Sequence, residues 1–217
     1  MTKVTAEWKL ISIEGVIGVG KTALAEQLSK RIHAKLVLEE VDENPFLSRF
    51  YQDLRNYALQ TQLFFLLSRH RQQRELSQMD LFSQKVVTDY LFVKEKIFAY
   101  LNLDDQELAL YERIYSFLEK ETPTPDLVIY LQAAPRKLLG RIQERGRPFE
   151  REIQLEYLVN LNEAYNRFFF HYDSSPLLVV NVEEIDFVQR EEDFEDLFRE
   201  IQRPFSGTRF YVPAPNK

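Results

Sequence analysis

The chain has 217 residues, of which 45% are hydrophobic and 29% charged, a balance typical of one folded domain. Its formal net charge of −6 disfavours nucleic acid and anionic membranes as partners, and the lack of cysteine excludes disulfides, thiolate metal sites and a cysteine nucleophile. The first eight residues show no targeting pattern, and no apolar run approaches the ~18 residues that span a bilayer, so we expect a cytoplasmic protein that acts on small molecules.

Five short runs rich in Val, Ile and Leu alternate with longer segments of helical periodicity. The runs predict strands at Lys9–Ile13, Lys35–Leu38, Lys85–Thr88, Leu127–Leu131 and Leu177–Val180. The segments between them predict helices at Lys21–His33, Pro45–Leu76 with a break, Leu91–Leu101, Asp104–Glu119, Pro135–Glu144, Gln154–Tyr172 and Phe187–Gln202. This alternation predicts an α/β fold, a doubly wound five-stranded parallel sheet flanked by helices, within a single domain of residues 1–203. Residues 204–217 predict an irregular tail.

The most specific motif is a phosphate-binding loop of the form GxxxxGK[ST], between the first predicted strand and the first predicted helix. It comprises Gly15, Val16, Ile17, Gly18, Val19, Gly20, Lys21 and Thr22. Glycines let backbone N–H groups surround a polyphosphate, while Lys21 would reach the outer phosphates and the Thr22 hydroxyl would ligate Mg²⁺. The motif therefore predicts ATP and Mg²⁺ as ligands. The alternative is a strand-to-helix turn in which glycine serves a steric purpose alone.

Acidic residues follow two of the predicted strands. In an open α/β sheet the ligand lies beyond the carboxyl ends of the strands, so these side chains face the site. Glu39 is the candidate base for an acceptor hydroxyl, since phosphoryl transfer needs a proton acceptor there. Asp89 is a candidate Walker B carboxylate that orients Mg²⁺ or a substrate group, and either acid could join Thr22 in the metal site. A solvated loop acid and a turn cap are the respective alternatives.

Residues 136–151 contain six basic and two acidic residues, a local charge of +4. Arg141 and Arg145 are four residues apart and share a helical face, and Gly146 then ends the helix and redirects Arg147. Arginines beside a phosphate loop can close over the transferring phosphoryl group. We therefore predict an Arg-rich lid over about residues 141–151, against the alternative of a solvated basic helix.

Several ordered motifs resemble deoxynucleoside kinases, in particular the bacterial deoxyadenosine, deoxyguanosine and deoxycytidine kinases. They are the phosphate loop, the run from Glu39 to Phe46, Gln60-Thr61-Gln62 with Leu67-Ser68-Arg69, and Arg145–Glu150 with Leu155–Leu158. The resemblance implies a P-loop kinase that transfers the γ-phosphoryl group of ATP, or another nucleoside triphosphate, to the 5′-hydroxyl of a deoxynucleoside in nucleotide salvage. It also implies a homodimer.

The resemblance assigns roles on the acceptor side. Glu39 matches the catalytic base, and Gln62 matches a glutamine that pairs with the nucleobase edge, for which an amide both donates and accepts. Arg69 matches an arginine that takes part in base choice. Tyr51 and Glu150 match a pair that holds the sugar 3′-hydroxyl.

On the donor side, the resemblance matches Arg141, Arg145 and Arg147 to lid arginines over the phosphates. It matches Asp186 and Phe187 to a segment that packs on the donor adenine. One departure concerns the segment after the third strand, where many relatives carry an acid-Arg-Ser motif and this chain reads Thr88-Asp89-Tyr90-Leu91. The residue that replaces the arginine is open, and so is the role of Asp89.

Two alternative functions stay open alongside this one. A kinase of the thymidylate type would take a nucleoside monophosphate, but it needs cations on the acceptor side, and Glu39 and Glu40 would repel a second phosphate. A P-loop switch would bind nucleotide without turnover, and it needs neither a hydroxyl base nor an arginine-rich lid.

Overall fold

Six parallel strands form one open sheet in the computed structural model, which describes residues 6–78 and 84–213. The strands are β1 Leu10–Gly15, β2 Lys35–Val37, β3 Val86–Thr88, β4 Leu127–Gln132, β5 Leu177–Asn181 and β6 Thr208–Tyr211. Their order across the sheet is β2-β3-β1-β4-β5-β6. All residues of β1 are buried, as are nearly all of β4 and β5, because helices cover both faces of these central strands.

Eight helices connect and cover these strands. They are α1 Lys21–Ile32, α2 Leu47–Gln52, α3 Leu54–Gln78, α4 Glu95–Asn102, α5 Asp105–Leu118, α6 Pro135–Arg145, α7 Leu155–Phe170 and α8 Glu191–Ile201. Within the part of the chain that the structure describes, no helix is both long and apolar enough to cross a bilayer.

The predicted α/β class and the parallel sheet are confirmed, but the number of strands was underestimated. The segment predicted as an irregular tail contains β6, which pairs in parallel with β5 from Leu177 opposite Thr208 onwards. This strand lies at the edge of the sheet and alternates between exposed and half-buried residues, so it lacks the continuous apolar run that revealed the other five. Residues 214–217 of the predicted tail lie outside the described residues.

The predicted break between two helices is present, and two other helices begin four residues later than predicted, each for a local reason. The break in Pro45–Leu76 falls at Asp53, whose carboxylate caps α3 by accepting a hydrogen bond from the Asn56 N–H, 3.2 Å away. The predicted helix at Leu91 begins only at Glu95, after a 3₁₀ turn. Helix α8 begins at Glu191, because the Asp186 carboxylate holds the preceding residues in a turn.

The strand order brings the ends of β1, β3 and β2 side by side. The phosphate loop leaves β1, Asp89 follows β3, and Glu39 lies two residues after β2. In this arrangement the loop and the two acids that the sequence singles out share one edge of the sheet, where ligands of α/β folds bind.

Candidate active site

Two clefts open at this edge of the sheet and meet over the phosphate loop. The narrow cleft, about 270 Å³, runs inward between the loop, the end of β2 and α3. The wide cleft, about 630 Å³, runs outward between α1, α6 and the segment after β5. Their walls share Gly18, Lys21, Thr22, Arg145 and Arg147. A group passed from one cleft to the other would cross these five residues.

The backbone of the phosphate loop requires glycine at two points. Gly18 and Gly20 have φ values of 84° and 106°, in the left-handed region. A Cβ at Gly18 would also lie 2.9 Å from the Leu138 carbonyl oxygen of α6. The loop therefore packs directly on the helix that carries the lid arginines.

Lys21 lies in the loop with its ammonium turned inward. Its Nζ donates a hydrogen bond to the Gly15 carbonyl, 2.7 Å away. Burial and, to a smaller extent, the positive charge of Lys94 lower the pKa of Lys21 to about 8, against the opposing effect of Glu14. A polyphosphate bound beside this ammonium would favour its charged form and so raise the low pKa of Lys21.

ATP binding should therefore take up a proton at mildly alkaline pH. Above about pH 8 free Lys21 is mostly neutral, and the phosphates restore its charge, so uptake should approach about one proton per ATP near pH 9 and vanish near pH 7. For the same reason ATP affinity should fall as pH rises through this range. Calorimetry in two buffers of different ionisation enthalpy measures the uptake. Equal heats in both buffers near pH 9 would contradict the assignment.

Asp89 links the loop to the end of β2. Its Oδ2 accepts a hydrogen bond from the Thr22 hydroxyl at 2.6 Å, and its Oδ1 accepts one from the backbone N–H of Glu39 at 2.7 Å. Thr22 and Asp89 thus present hard oxygen donors side by side. This donor pair fits Mg²⁺, which takes one or two protein oxygens and completes its shell with phosphates and water.

The Glu39 carboxylate is paired with two cations in the narrow cleft. Arg69 of α3 binds one of its oxygens, and the Lys94 Nζ lies 3.1 Å from each of the two. The side chain keeps 11% of its surface exposed, at the cleft wall. Opposite charges at this range favour the ionised carboxylate, which is the form that can accept a proton.

Glu14 and Lys94 belong to this network, and the sequence interpretation assigned neither of them a role. Glu14 is fully buried in β1, and its carboxylate accepts hydrogen bonds from the N–H groups of Gly15 and Leu91 and from the Tyr165 hydroxyl. Lys94 lies 3.8 Å from it. The sequence signal that could have identified Glu14 is its place as an acidic residue at the end of an apolar strand, directly before the phosphate loop.

The inner end of the narrow cleft is lined by α3. Gln62 and Arg69 are both buried there, whereas Gln60 is exposed. Arg69 also binds Glu95 and lies over the Phe65 ring, 4.4 Å from its centroid. Burial raises the pKa of Glu95, and the Arg69 charge opposes that rise. An amide, a guanidinium and an aromatic face suit the polar edge and flat surface of a nucleobase.

The predicted lid lies over the junction of the clefts. Arg141 donates a hydrogen bond to the Val19 carbonyl at 3.1 Å, which ties α6 to the phosphate loop. Arg145 binds both oxygens of the buried Glu150, at 2.6 and 3.2 Å. Tyr51 faces the same cleft, and burial, with the nearby Tyr157 and Glu150, raises its pKa well above the usual value. The lid thus bridges the wide cleft and the side of the narrow cleft that Tyr51 and Glu150 line.

The sequence-predicted residues divide between the two clefts. The narrow cleft is lined by Ile17, Glu39, Tyr51, Gln62, Arg69, Asp89 and Glu150. The wide cleft is lined by Val19, Gly20, Arg141, Asp186 and Phe187, and the Phe187 ring lies against Gly20. Gly15 and Val16 line neither cleft; their carbonyl groups accept hydrogen bonds from Lys21.

A parallel α/β sheet, a phosphate loop and a carboxylate beside it define a P-loop phosphotransferase. The deoxynucleoside kinase family model matches residues 11–205. The chain therefore belongs to the deoxynucleoside kinase family and is an ATP-dependent kinase. This outcome confirms the family indicated by the ordered motifs.

Relatives at moderate identity cover most of the chain. The chain is 36% identical over 197 residues to a deoxyguanosine kinase of Bacillus subtilis, covering 88% of this chain and 95% of that protein. It is 34% identical to a deoxyadenosine kinase of Dictyostelium discoideum, covering 96% and 84%. A solved structure of deoxyadenosine kinase from M. mycoides with bound dATP superposes with a TM-score of 0.78 at 26% identity, covering 89% and 98%.

Proposed function

We propose that this kinase transfers the γ-phosphoryl group of ATP to the 5′-hydroxyl of deoxyadenosine, deoxyguanosine or deoxycytidine in nucleotide salvage. One observation carries the proposal: the Asp89 carboxylate joins Thr22 of the phosphate loop to the backbone of Glu39. A hydroxyl group beside Glu39 therefore lies next to the outer phosphate of a nucleotide held by the loop. The names of the relatives, deoxyguanosine and deoxyadenosine kinases, support the same acceptor class.

In the proposed reaction, the nucleoside lies in the narrow cleft with its base against Gln62 and Arg69. Its sugar lies between Tyr51 and Glu150. The 5′-oxygen attacks the γ-phosphorus as Glu39 accepts the hydroxyl proton, and the bond from the γ-phosphorus to the bridging oxygen of ADP breaks.

The donor would lie in the wide cleft, with its adenine towards Asp186 and Phe187. Lys21 and the loop N–H groups would hold the phosphates, and the lid arginines Arg145 and Arg147 would face the γ-phosphoryl group at the junction. Thr22 and Asp89 would hold Mg²⁺, which when bound neutralises phosphate oxygens. During the transfer, negative charge spreads over the equatorial oxygens of the γ-phosphoryl group. The lid arginines at the junction would then bind these oxygens more strongly.

The narrow cleft suits a neutral acceptor better than a monophosphate. Its two inner cations, Arg69 and Lys94, are each already bound to carboxylates. Glu39 and Asp42 also line its wall. A second phosphate would meet these acids, while the other cations of the wall, Lys21, Arg145 and Arg147, lie at the junction over the proposed donor phosphates. This arrangement disfavours the thymidylate type of kinase.

A panel of the four common deoxynucleosides tests the proposal. With ATP and Mg²⁺, ADP should form only after addition of deoxyadenosine, deoxyguanosine or deoxycytidine, and the product should be the 5′-monophosphate. Thymidine and deoxynucleoside monophosphates serve as the comparison acceptors. ADP formation without any acceptor, or failure on all four nucleosides, would overturn the proposal.

The proposal also takes the enzyme as a cytoplasmic homodimer. Its support is an open groove between α4 and α7, lined in part by the exposed Tyr100 and by Phe168 and Tyr172. Light scattering after size exclusion should give twice the chain mass of 25.9 kDa. A monomer mass would remove the dimer from the proposal.

A further inference from the structure

In the segment after β3, the residue that follows Asp89 is not a cation. Tyr90 stands there, and its side chain is buried. Its hydroxyl accepts a hydrogen bond from the Gln73 amide, 3.1 Å away. Tyr90 does not line the narrow cleft. Of the residues in this segment, Lys94, four positions further on, is the cation that lines the narrow cleft.

Lys94 brings a positive charge to the same place. The 3₁₀ turn Phe92–Lys94 closes with a hydrogen bond from the Lys94 N–H to the Leu91 carbonyl, 3.1 Å, and the Lys94 side chain lines the narrow cleft. Its Nζ lies 3.1 Å from Glu39 Oε1. Only 2% of the residue is exposed, so this ammonium acts outside bulk water, where charge interactions are strong.

Glu14 sets the position of this lysine. One carboxylate oxygen accepts a hydrogen bond from the Leu91 N–H at 2.8 Å and lies 3.8 Å from the Lys94 Nζ. The other accepts hydrogen bonds from the Gly15 N–H and the Tyr165 hydroxyl. The same side chain therefore anchors the turn that carries Lys94 and the first residue of the phosphate loop.

We propose that Lys94 is the positioning residue for Glu39 and takes the place of the absent arginine. Held by Glu14, its ammonium contacts both oxygens of the Glu39 carboxylate and keeps this carboxylate directed at the acceptor hydroxyl. The inference rests on the proposed function, in which Glu39 is the base. Arg69, the other cation on Glu39, also binds Glu95 at the inner end of the cleft, whereas Lys94 contacts both oxygens of Glu39 and is held by Glu14 of β1.

Lys94→Met tests the inference, because methionine keeps an unbranched stem and removes the charge. We expect kcat to fall about a hundredfold, while the KM for the nucleoside and the Kd for ATP change less than about threefold. Lys94→Arg should recover at least about a tenth of wild-type kcat. Lys96→Met is the matched control, since Lys96 lies two residues away, half-buried and paired with Glu119.

A second variant separates positioning from folding. Lys94→Met leaves Glu14 buried without its cation, which is destabilising, and Glu14→Gln with Lys94→Met removes both charges. The double variant should melt at a higher temperature than Lys94→Met and stay slow. Recovery of kcat with the fold, or a Lys94→Met enzyme as fast as Lys96→Met, would overturn the inference and leave the proposed function intact. A wild-type enzyme that phosphorylates no nucleoside would overturn both.

Discussion

Replacement of Glu39 by glutamine should lower kcat about a thousandfold, since a positioned general base contributes about 10²–10⁴-fold to proton transfer. The amide has the shape of the carboxylate but cannot accept the hydroxyl proton. Binding of ATP should be unchanged, because the donor lies in the wide cleft and Glu39 lines only the narrow one. Single-turnover phosphorylation and fluorescent-nucleotide titration measure the two quantities separately.

Glu40→Gln is the matched control for this result. Glu40 is the adjacent residue, it is half-buried and lines neither cleft, and its carboxylate binds the exposed Arg71 at 3.1 Å. Its loss should leave kcat within about twofold, as expected for a surface ion pair. A Glu39→Gln enzyme within tenfold of the wild type would remove Glu39 from the role of base. The melting temperature of both variants shows whether a loss of rate reflects a loss of fold.

Asp89→Asn should raise the Mg²⁺ concentration needed for half-maximal rate about 10–100-fold and lower kcat at fixed Mg²⁺. An amide oxygen can still accept the hydrogen bond from the Glu39 N–H, so the link between the phosphate loop and Glu39 should persist. The carboxylate charge, which attracts the metal beside Thr22, is lost. Initial rates over a series of Mg²⁺ concentrations measure the effect.

Asp42→Asn removes the same charge from the outer wall of the narrow cleft. Asp42 is exposed in a short turn, and its loss should leave the Mg²⁺ dependence unchanged. An identical Mg²⁺ response of the Asp89→Asn and wild-type enzymes would show that Asp89 acts only as a structural link between Thr22 and Glu39.

Much of the fold could be predicted from the sequence because its central strands are continuous apolar runs. Such runs occur where both faces of a strand are covered, as in β4 and β5. The edge strand β6 has one half-buried face and four residues, so its pattern does not differ from that of an irregular segment. The start of α8 was misplaced because a turn held by the Asp186 side chain, rather than periodicity, decides it.

The candidate site divides in the same way. The phosphate loop could be predicted because its function requires a fixed local spacing of glycine, lysine and threonine. Asp89 and Glu39 could be predicted from their places after apolar runs, which form the buried strand β3 and the partly exposed edge strand β2. The pairing of Glu14 with Lys94 joins residues 80 positions apart and depends on the turn after β3. No local pattern encodes such a contact, and the departure at Tyr90 was its one indirect sign.

The burial of Glu14 has a consequence for how this protein tolerates change. Its carboxylate ties β1, the turn after β3 and α7 together through hydrogen bonds to Gly15, Leu91 and Tyr165. Selection for folded abundance and selection for turnover would therefore reject the same substitutions at Glu14. At Glu39, which lies at the cleft wall, selection for turnover would reject substitutions that selection for folded abundance would accept. The buried Glu14 is therefore constrained in the same way as a core residue, and its replacement alone offers no route to higher heat resistance.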